Sequence, residues 1–302
     1  MNTERAAIIE QRAKKPVRIL SLGAGVQSST LAMLYAKGKL PAIDSAVFAD
    51  TGSESKKTYA HLKRLTGMIA ESEFPFPVHI VRKSDTIISL RDACFKTASR
   101  QQFLRFPAFV VSDKHNGRGR PGGAGSRGCT ETYKVLPILR ETRRQIGVKR
   151  LSKTSPVLAV HAIGISLDEA HRMKPSKDSW LKREWPLVYD LEMTRQDCVA
   201  WWKEHIGGEP PPSSSCTFCP FHSTKNWQTV KQDDPDAWEE AVELDKLLRT
   251  PQKPNRGLPY EWYPHSLHYS GKPLEEAVEV KETKADDLFD LFGNECEGIC
   301  GV

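Results

Sequence analysis

The sequence has none of the features that would place it in or across a membrane. Its 302 residues contain no run of eighteen apolar residues, so no membrane span is expected. The opening "MNTERAAIIEQRAKKP" has no apolar core of the kind that a secretory signal carries. A cytoplasmic protein is the expectation, and its seven cysteines then read as reduced thiols or metal ligands rather than as disulfides. No internal repeat is visible. Hydrophobic residues make up only 39% of the chain, but the length still supplies ample core for one large domain or two small ones.

Two common nucleotide motifs are missing in an informative way. The stretch "RILSLGAGVQSST", Arg18 to Thr30, reads as an apolar strand, a glycine turn and a helix start. Such a unit presents backbone N–H groups to an anion, most often phosphate. A Rossmann turn needs a third glycine where Ser28 stands, and a Walker A turn needs a lysine where Val26 stands. The turn is therefore phosphate-like without belonging to either class. A tight strand-to-helix turn with no ligand is the plain alternative.

Charge is uneven. Phe95–Thr154 carries fourteen Lys/Arg against three Asp/Glu, whereas Gln232–Val302 carries seven against seventeen. A basic middle and an acidic end suit an anionic ligand, nucleotide or RNA, near the middle; a solvated basic face is the alternative.

The first half alternates. Strands are expected at Val17–Leu22, Ser45–Ala49, Val78–Val81 and within Val157–Ile165. Helices are expected at Ser28–Lys37, Ser55–Met68, Thr86–Ser99 and Thr132–Ile146. This predicts an α/β fold with a doubly wound parallel sheet. Ligands of such sheets sit at the carboxyl ends of the strands, which puts Gly23–Ser29, Asp50–Glu54 and Gly164–Arg172 on one rim. The Gly/Arg-rich "SDKHNGRGRPGGAGSRG" (Ser112–Gly128) reads as a lid or connector. "GGEPPPSSS" (Gly207–Ser215) marks a second break. It divides a nucleotide-binding domain, 1–206, from an extension, 207–302, with a helix around Asp236–Leu248.

Three clusters carry chemistry. "FADTGSE" (Phe48–Glu54) puts Asp50 at a strand tip, where a carboxylate accepts from a ribose hydroxyl or an adenine amine; Thr51 or Ser53 capping a helix is the alternative. "GISLDEAHRMKPS" (Gly164–Ser176) crowds Asp168, Glu169, His171, Arg172 and Lys174 onto the rim, although Asp168 and Arg172, four apart, could simply pair. The third cluster is thiol chemistry. Cys216 and Cys219 form C-x-x-C with His222 three residues on, Cys129 lies far upstream at a helix start, and Cys296 and Cys300 lie near the end. A distant cysteine plus C-x-x-C and histidine suits a four-coordinate metal. Cys94 and Cys198 sit in helical patterns and read as core.

In this order, the glycine turn, "DTG", C-x4-K-V-x-P, G-x3-D-E-x2-R, Pro-Leu before a helix, and C-x-x-C resemble the PP-loop ATP pyrophosphatase superfamily. Within it the nearest likeness is to the phosphoadenylyl-sulfate (PAPS) reductase family and its bacterial and phage-borne relatives. The likeness runs from about Val17 to His222. The family's phosphate loop reads S-G-G-x-D-S; here "GAGVQS" keeps Gly25 and Ser28 and has Gln27 in place of the aspartate. The resemblance implies that Ser21, Gly23, Gly25, Gln27, Ser28, Ser29, Asp50, Thr51, Gly52, Gly164 and Asp168 bind a nucleotide, with Glu169 and Arg172 in catalysis. Family members with an iron–sulfur cluster carry C-C-x3-R-K-V-x-P-L and a later C-x-x-C. Here Gly128 replaces the first cysteine, leaving Cys129, Cys216 and Cys219, with His222 nearby. The group implied is a [4Fe-4S] cluster, or alternatively Zn²⁺. Reductases end in E-C-G-I/L-H; "NECEGICGV" keeps Glu295 and Cys296, so Cys296 becomes a candidate nucleophile on a tail, with Cys296 and Cys300 as extra metal ligands the alternative.

Three functions follow as expectations. The first is adenylylation of a substrate by ATP with Mg²⁺, releasing pyrophosphate and coupled to sulfur transfer, with tRNA as an acceptor suited to the basic loop and a sulfur donor as partner. The second is thiol-dependent reduction of PAPS or adenylyl sulfate to sulfite, with a thioredoxin-like reductant. The third is a non-catalytic nucleotide-binding protein with structural zinc.

Overall fold

The protein is described from a computed structural model, which covers residues 3–83, 89–100, 106–111, 127–250 and 264–279. Cys296, Cys300 and most of the Gly/Arg-rich loop lie outside the described residues.

The chain forms a five-stranded, all-parallel sheet flanked by helices. Its strands are β1 (Val17–Leu22), β2 (Ser45–Ala49), β3 (Val78–Val81), β5 (Ala159–Ile163) and β6 (Leu181–Glu184), in the order β3-β2-β1-β5-β6. All four pairings are parallel. The central strands read as near-continuous apolar runs because both faces are covered. Successive residues of β1 go to opposite sides: Val17 and Ile19 join one core, Leu20 and Leu22 the other. Ala46 and Phe48 of β2 alternate in the same way with Val47 and Ala49. One layer is built by α2 (Val26–Ala36), α3 (Lys56–Ala70) and α8 (Arg195–His205), whose Trp202 is fully buried. The opposite layer holds α6 (Leu136–Ile146), which ends on Gly147 in the left-handed conformation, φ 87°, the usual helix stop.

A third core lies beyond the sheet. It gathers Leu90 and Cys94 of α4 (Leu90–Arg100), Phe106, Tyr133, Phe218, Trp227 of α9 (Thr224–Asp233), and Trp238 and Leu244 of α10 (Pro235–Arg249). A short antiparallel pair, β4 (Phe109–Val110) with β7 (His265–Ser266), borders it. Residues before the break at 207 therefore pack with residues after it.

The four expected sheet strands are present. Helix starts move where local chemistry decides them. The first begins at Val26, directly after Gly25, and the third at Leu90, one residue after Ser89, whose hydroxyl accepts from the Asp92 N–H. The helix expected from Thr132 begins at Gly128 and passes through a single π turn, Glu131–Val135, a local widening frequent at functional sites. Among the described residues no helix is long and apolar enough to cross a membrane.

Candidate functional site

The strand order changes direction at β1. The chain leaves β1 for β2 on one side and later returns to β5 on the other. The crevice between the carboxyl ends of β1 and β5 is a topological switch point, where open α/β sheets bind ligands. Two loops flank it: the glycine turn after β1, and the segment from Gly164 into the 3-10 turn Leu167–Arg172 after β5.

The glycine turn is tight and shaped by polar contacts. Ala24 is left-handed, φ 61°, a conformation that costs a non-glycine residue about 1–3 kcal/mol. The Gly23 N–H donates to Ser28 Oγ (3.2 Å), and the Ser28 hydroxyl faces the Gly25 carbonyl (3.4 Å). No side chain caps α2, so its first N–H groups gain no partner from a cap, and the positive end of its dipole sits at the switch point. The Ser214 hydroxyl donates to the Gly23 carbonyl, laying the end of the Pro/Ser break against the turn. Its neighbours Ser213 and Ser215 instead line a separate cleft between α3 and α9. Ser29 points away from the turn, to His61 Nε2 on α3 (2.9 Å). Ser21 is buried within β1.

Gly164 explains itself by packing. A Cβ there would lie 2.9 Å from both the nitrogen and the Cα of Ser28. Only glycine lets the end of β5 come this close to the start of α2. Gly164→Ala is expected to lower stability by about 1–3 kcal/mol, the usual range for overpacking, and to displace the anion-facing turn. Urea unfolding beside a ligand titration measures both effects.

From α2, Gln27 reaches across the crevice and is completely buried. Its Nε2 donates to Ser166 Oγ (3.1 Å) and Glu169 Oε2 (2.9 Å). Glu169 Oε1 in turn accepts from Arg172 (2.6 Å). Gln27 Oε1 is buried with no donor among the described residues, at a cost of about 1–3 kcal/mol. Arg172 thus pairs with Glu169 and not with Asp168. Asp168 is exposed and accepts from the backbone N–H of Arg195 at the start of α8 (3.0 Å).

Asp50 at the tip of β2 is buried and fully engaged. Oδ1 accepts from Tyr59 (2.7 Å) and the Gly52 N–H (2.8 Å); Oδ2 accepts from Arg82 Nε (2.8 Å) and Nη2 (2.6 Å). Burial pushes its pKa up, but these bonds to the ionised form outweigh it, and the carboxyl is held below its ordinary value. With four acceptor positions filled, Asp50 organises the DTG turn and presents Arg82.

Beside it lies an arrangement that the sequence reading missed. Glu54 accepts from Thr51 (3.2 Å) and pairs with Lys134 (3.3 Å) of the π turn. The Glu54 side chain is 0% exposed and that of Lys134 is 6%. Glu54 Oε2 is buried with no hydrogen-bond partner among the described residues. Thr51 Oγ1 also lies 3.5 Å from Cys216 Sγ. Backbone bonds fix the contact: Glu54 bridges to Cys216, and the Thr217 N–H donates to the Ser53 carbonyl (2.9 Å). The DTG turn and the C-x-x-C segment, 165 residues apart from Thr51 to Cys216, are therefore one structure. Arg82 was missed as well; its position just past β3, as Asp50 is just past β2, is the signal by which it was findable. Lys134 stood in the C-x4-K-V-x-P stretch with no role attached.

The expected metal set does not come together. Cys216 and Cys219 share a turn, and Cys129 and Cys219 border the same core. His222, however, turns its Nε2 to Ser215 Oγ (2.7 Å) and its ring edge to Trp227. Burial pushes the His222 pKa down to about 4, and pushes the Cys216 thiol well up. Among the described residues no three His, Cys, Asp or Glu side chains form a group that could hold a metal ion. As placed, the described Cys129, Cys216, Cys219 and His222 do not form such a group, although His222 Nδ1 is buried with no hydrogen-bond partner among the described residues. Cys94 and Cys198 are buried in the core, as expected.

No known family model matches the chain, and no curated protein matches it either.

Proposed function

We propose that this protein binds an adenine nucleotide of the PP-loop type, with its phosphate or sulfate end at the Gly23–Ser28 turn. One observation carries the reading: an uncapped helix N-terminus opens onto the switch-point crevice, with the Glu169–Arg172 pair on its other side. Backbone N–H groups and an arginine converging on one crevice make an anion seat. The nucleotide would extend from there over the tip of β2, toward Asp50 and Arg82.

For the reaction, the leading proposal is adenylylation. A substrate oxygen attacks the α-phosphorus of ATP, the bond to pyrophosphate breaks, and the turn's N–H groups and Arg172 stabilise the charge that develops. Sulfur transfer and a tRNA acceptor belong to the same proposal. Mg²⁺ would come with the nucleotide's phosphates, because Asp50, Glu54 and Glu169 are each engaged by a cation.

That engagement favours a second reading, the reduction of PAPS or adenylyl sulfate. A sulfate end asks for no metal at the turn, and Gln27 brings no carboxylate. Cys296, the candidate nucleophile, lies outside the described residues.

Calorimetric titration with Mg-ATP and separately with PAPS tests both. Arg172→Ala is expected to weaken whichever nucleotide binds by about 10- to 100-fold, the value of a charge-assisted hydrogen bond. Equal affinity in the variant would remove Arg172 from the seat.

A further inference from the structure

We infer that Gln27 is a positioning residue: by holding Glu169 it fixes the guanidinium of Arg172 beside the glycine turn. The inference rests on the nucleotide reading above and names the residue that sets its anion contact. Glu169 is 5% exposed, and its two oxygens take partners of different kinds: Oε1 takes Arg172 at 2.6 Å, Oε2 takes Gln27 Nε2 at 2.9 Å. An ionised carboxylate only accepts, so the amide must present its nitrogen here. The second amide hydrogen goes to Ser166 Oγ, at 3.1 Å. Both donors are spent on the loop after β5, although Gln27 itself belongs to the helix after β1.

A space-filling role does not account for this side chain. Gln27 is 0% exposed and leaves its carbonyl oxygen without a donor among the described residues. A methionine of similar length would fill the volume with no buried polar atom. What the amide adds is an uncharged donor. An ionised Asp or Glu at this position would set a second negative charge against Glu169 and beside the incoming anion. Other charged or titratable groups stand around Glu169 among the described residues. Asp168, His171 and Arg172 share its turn, and Lys174 follows it. Arg195 opens α8, and His61 lies beyond Ser29. The first turn of α2 carries no titratable residue.

The test compares wild type, Q27M, Q27E and R172A as full chains, by calorimetric titration with ATP and with PAPS from about pH 6 to about pH 9. Q27M is expected to bind about tenfold more weakly at every pH, in line with losing one hydrogen bond to a charged group. Q27E has a distinctive profile. Two carboxyls this close share a proton with a raised pKa. At the acid end the carboxyl introduced by Q27E is protonated and donates to Glu169 as the amide did, and affinity matches wild type. As the pH rises and the proton leaves, affinity relative to wild type falls at least about tenfold. A structural role would not produce that pH-dependent ratio. If Q27M and Q27E follow wild type across the range while R172A loses affinity, the positioning role is overturned and the nucleotide reading stands. If wild type binds neither nucleotide, both are overturned. If neither Gln27 variant folds, as read by circular dichroism, the role is structural and the inference fails.

Discussion

Lys134→Met is expected to destabilise the fold by about 3–5 kcal/mol, the range for stranding one member of a buried ion pair. Its partner Glu54 is entirely enclosed and already has one oxygen without a partner among the described residues. Removing the ammonium leaves a carboxylate with only the Thr51 hydroxyl to face among the described residues. The double variant K134M/E54Q is expected to recover most of the loss, because replacing both charges removes the desolvation problem as well as the attraction. Urea unfolding of the two single variants and the double variant closes the cycle. A loss below about 1 kcal/mol in K134M would mean that the pair behaves like a solvated surface bridge. The consequence reaches function, since Glu54 sits where the DTG turn meets the C-x-x-C segment.

Acid is expected to unfold the protein from well above the carboxylate range. His61, His161 and His222 are buried and neutral, with pKa values pushed down by burial to about 4, 3 and 4. His161 sits on β5 with its Nε2 on the Thr142 hydroxyl, 2.8 Å away, and is also opposed by the charge of Arg183. In the unfolded chain these rings titrate at the ordinary 6.5. Between that value and about 4 the unfolded state holds the extra protons, so stability rises with pH and is lost as pH falls. Each ring contributes up to about 1.4 kcal/mol per pH unit in that window. Asp50, Glu141 and Glu184, whose pKa values are lowered on balance, add to the loss only below their own ordinary values. Urea midpoints between about pH 7.5 and about pH 5, one urea series per half unit or so, measure the slope. The triple replacement of these histidines by glutamine is expected to flatten it. A flat wild-type profile down to about pH 5 would contradict the burial of these rings.

Much of the fold was legible because its signals are local. The apolar runs of β1, β2 and β5 and the glycine after β1 need only period and turn chemistry. The rim followed from them: Gly23–Ser28, Asp50 and Glu169–Arg172 do lie at the carboxyl ends of the strands. What was not legible is pairing across distance. Asp168 and Arg172 have the spacing of a helical pair, yet the segment is a 3-10 turn in which Glu169 is the nearer partner and Asp168 receives α8 instead. Glu54 and Lys134 lie far apart in sequence, and only the π turn brings the lysine inward. The His222 spacing suited a metal, but Ser215 and Trp227 hold the ring elsewhere. Gly164 was expected at the ligand, and its close packing against Ser28 could not be read from the sequence. In each case the residue type was right for chemistry, and a partner remote in sequence decided its use.

The most direct measurement of the central claim is a calorimetric titration of the full chain with adenine nucleotide, repeated with Gly25→Asp. That substitution places a carboxylate at the N-cap of α2, in the anion's seat. The account predicts saturable binding of ATP or PAPS by wild type and at least about tenfold weaker binding by the variant, with its fold intact by circular dichroism. Wild-type binding that the aspartate leaves unchanged would place the nucleotide elsewhere, and no binding of either nucleotide would contradict the account outright.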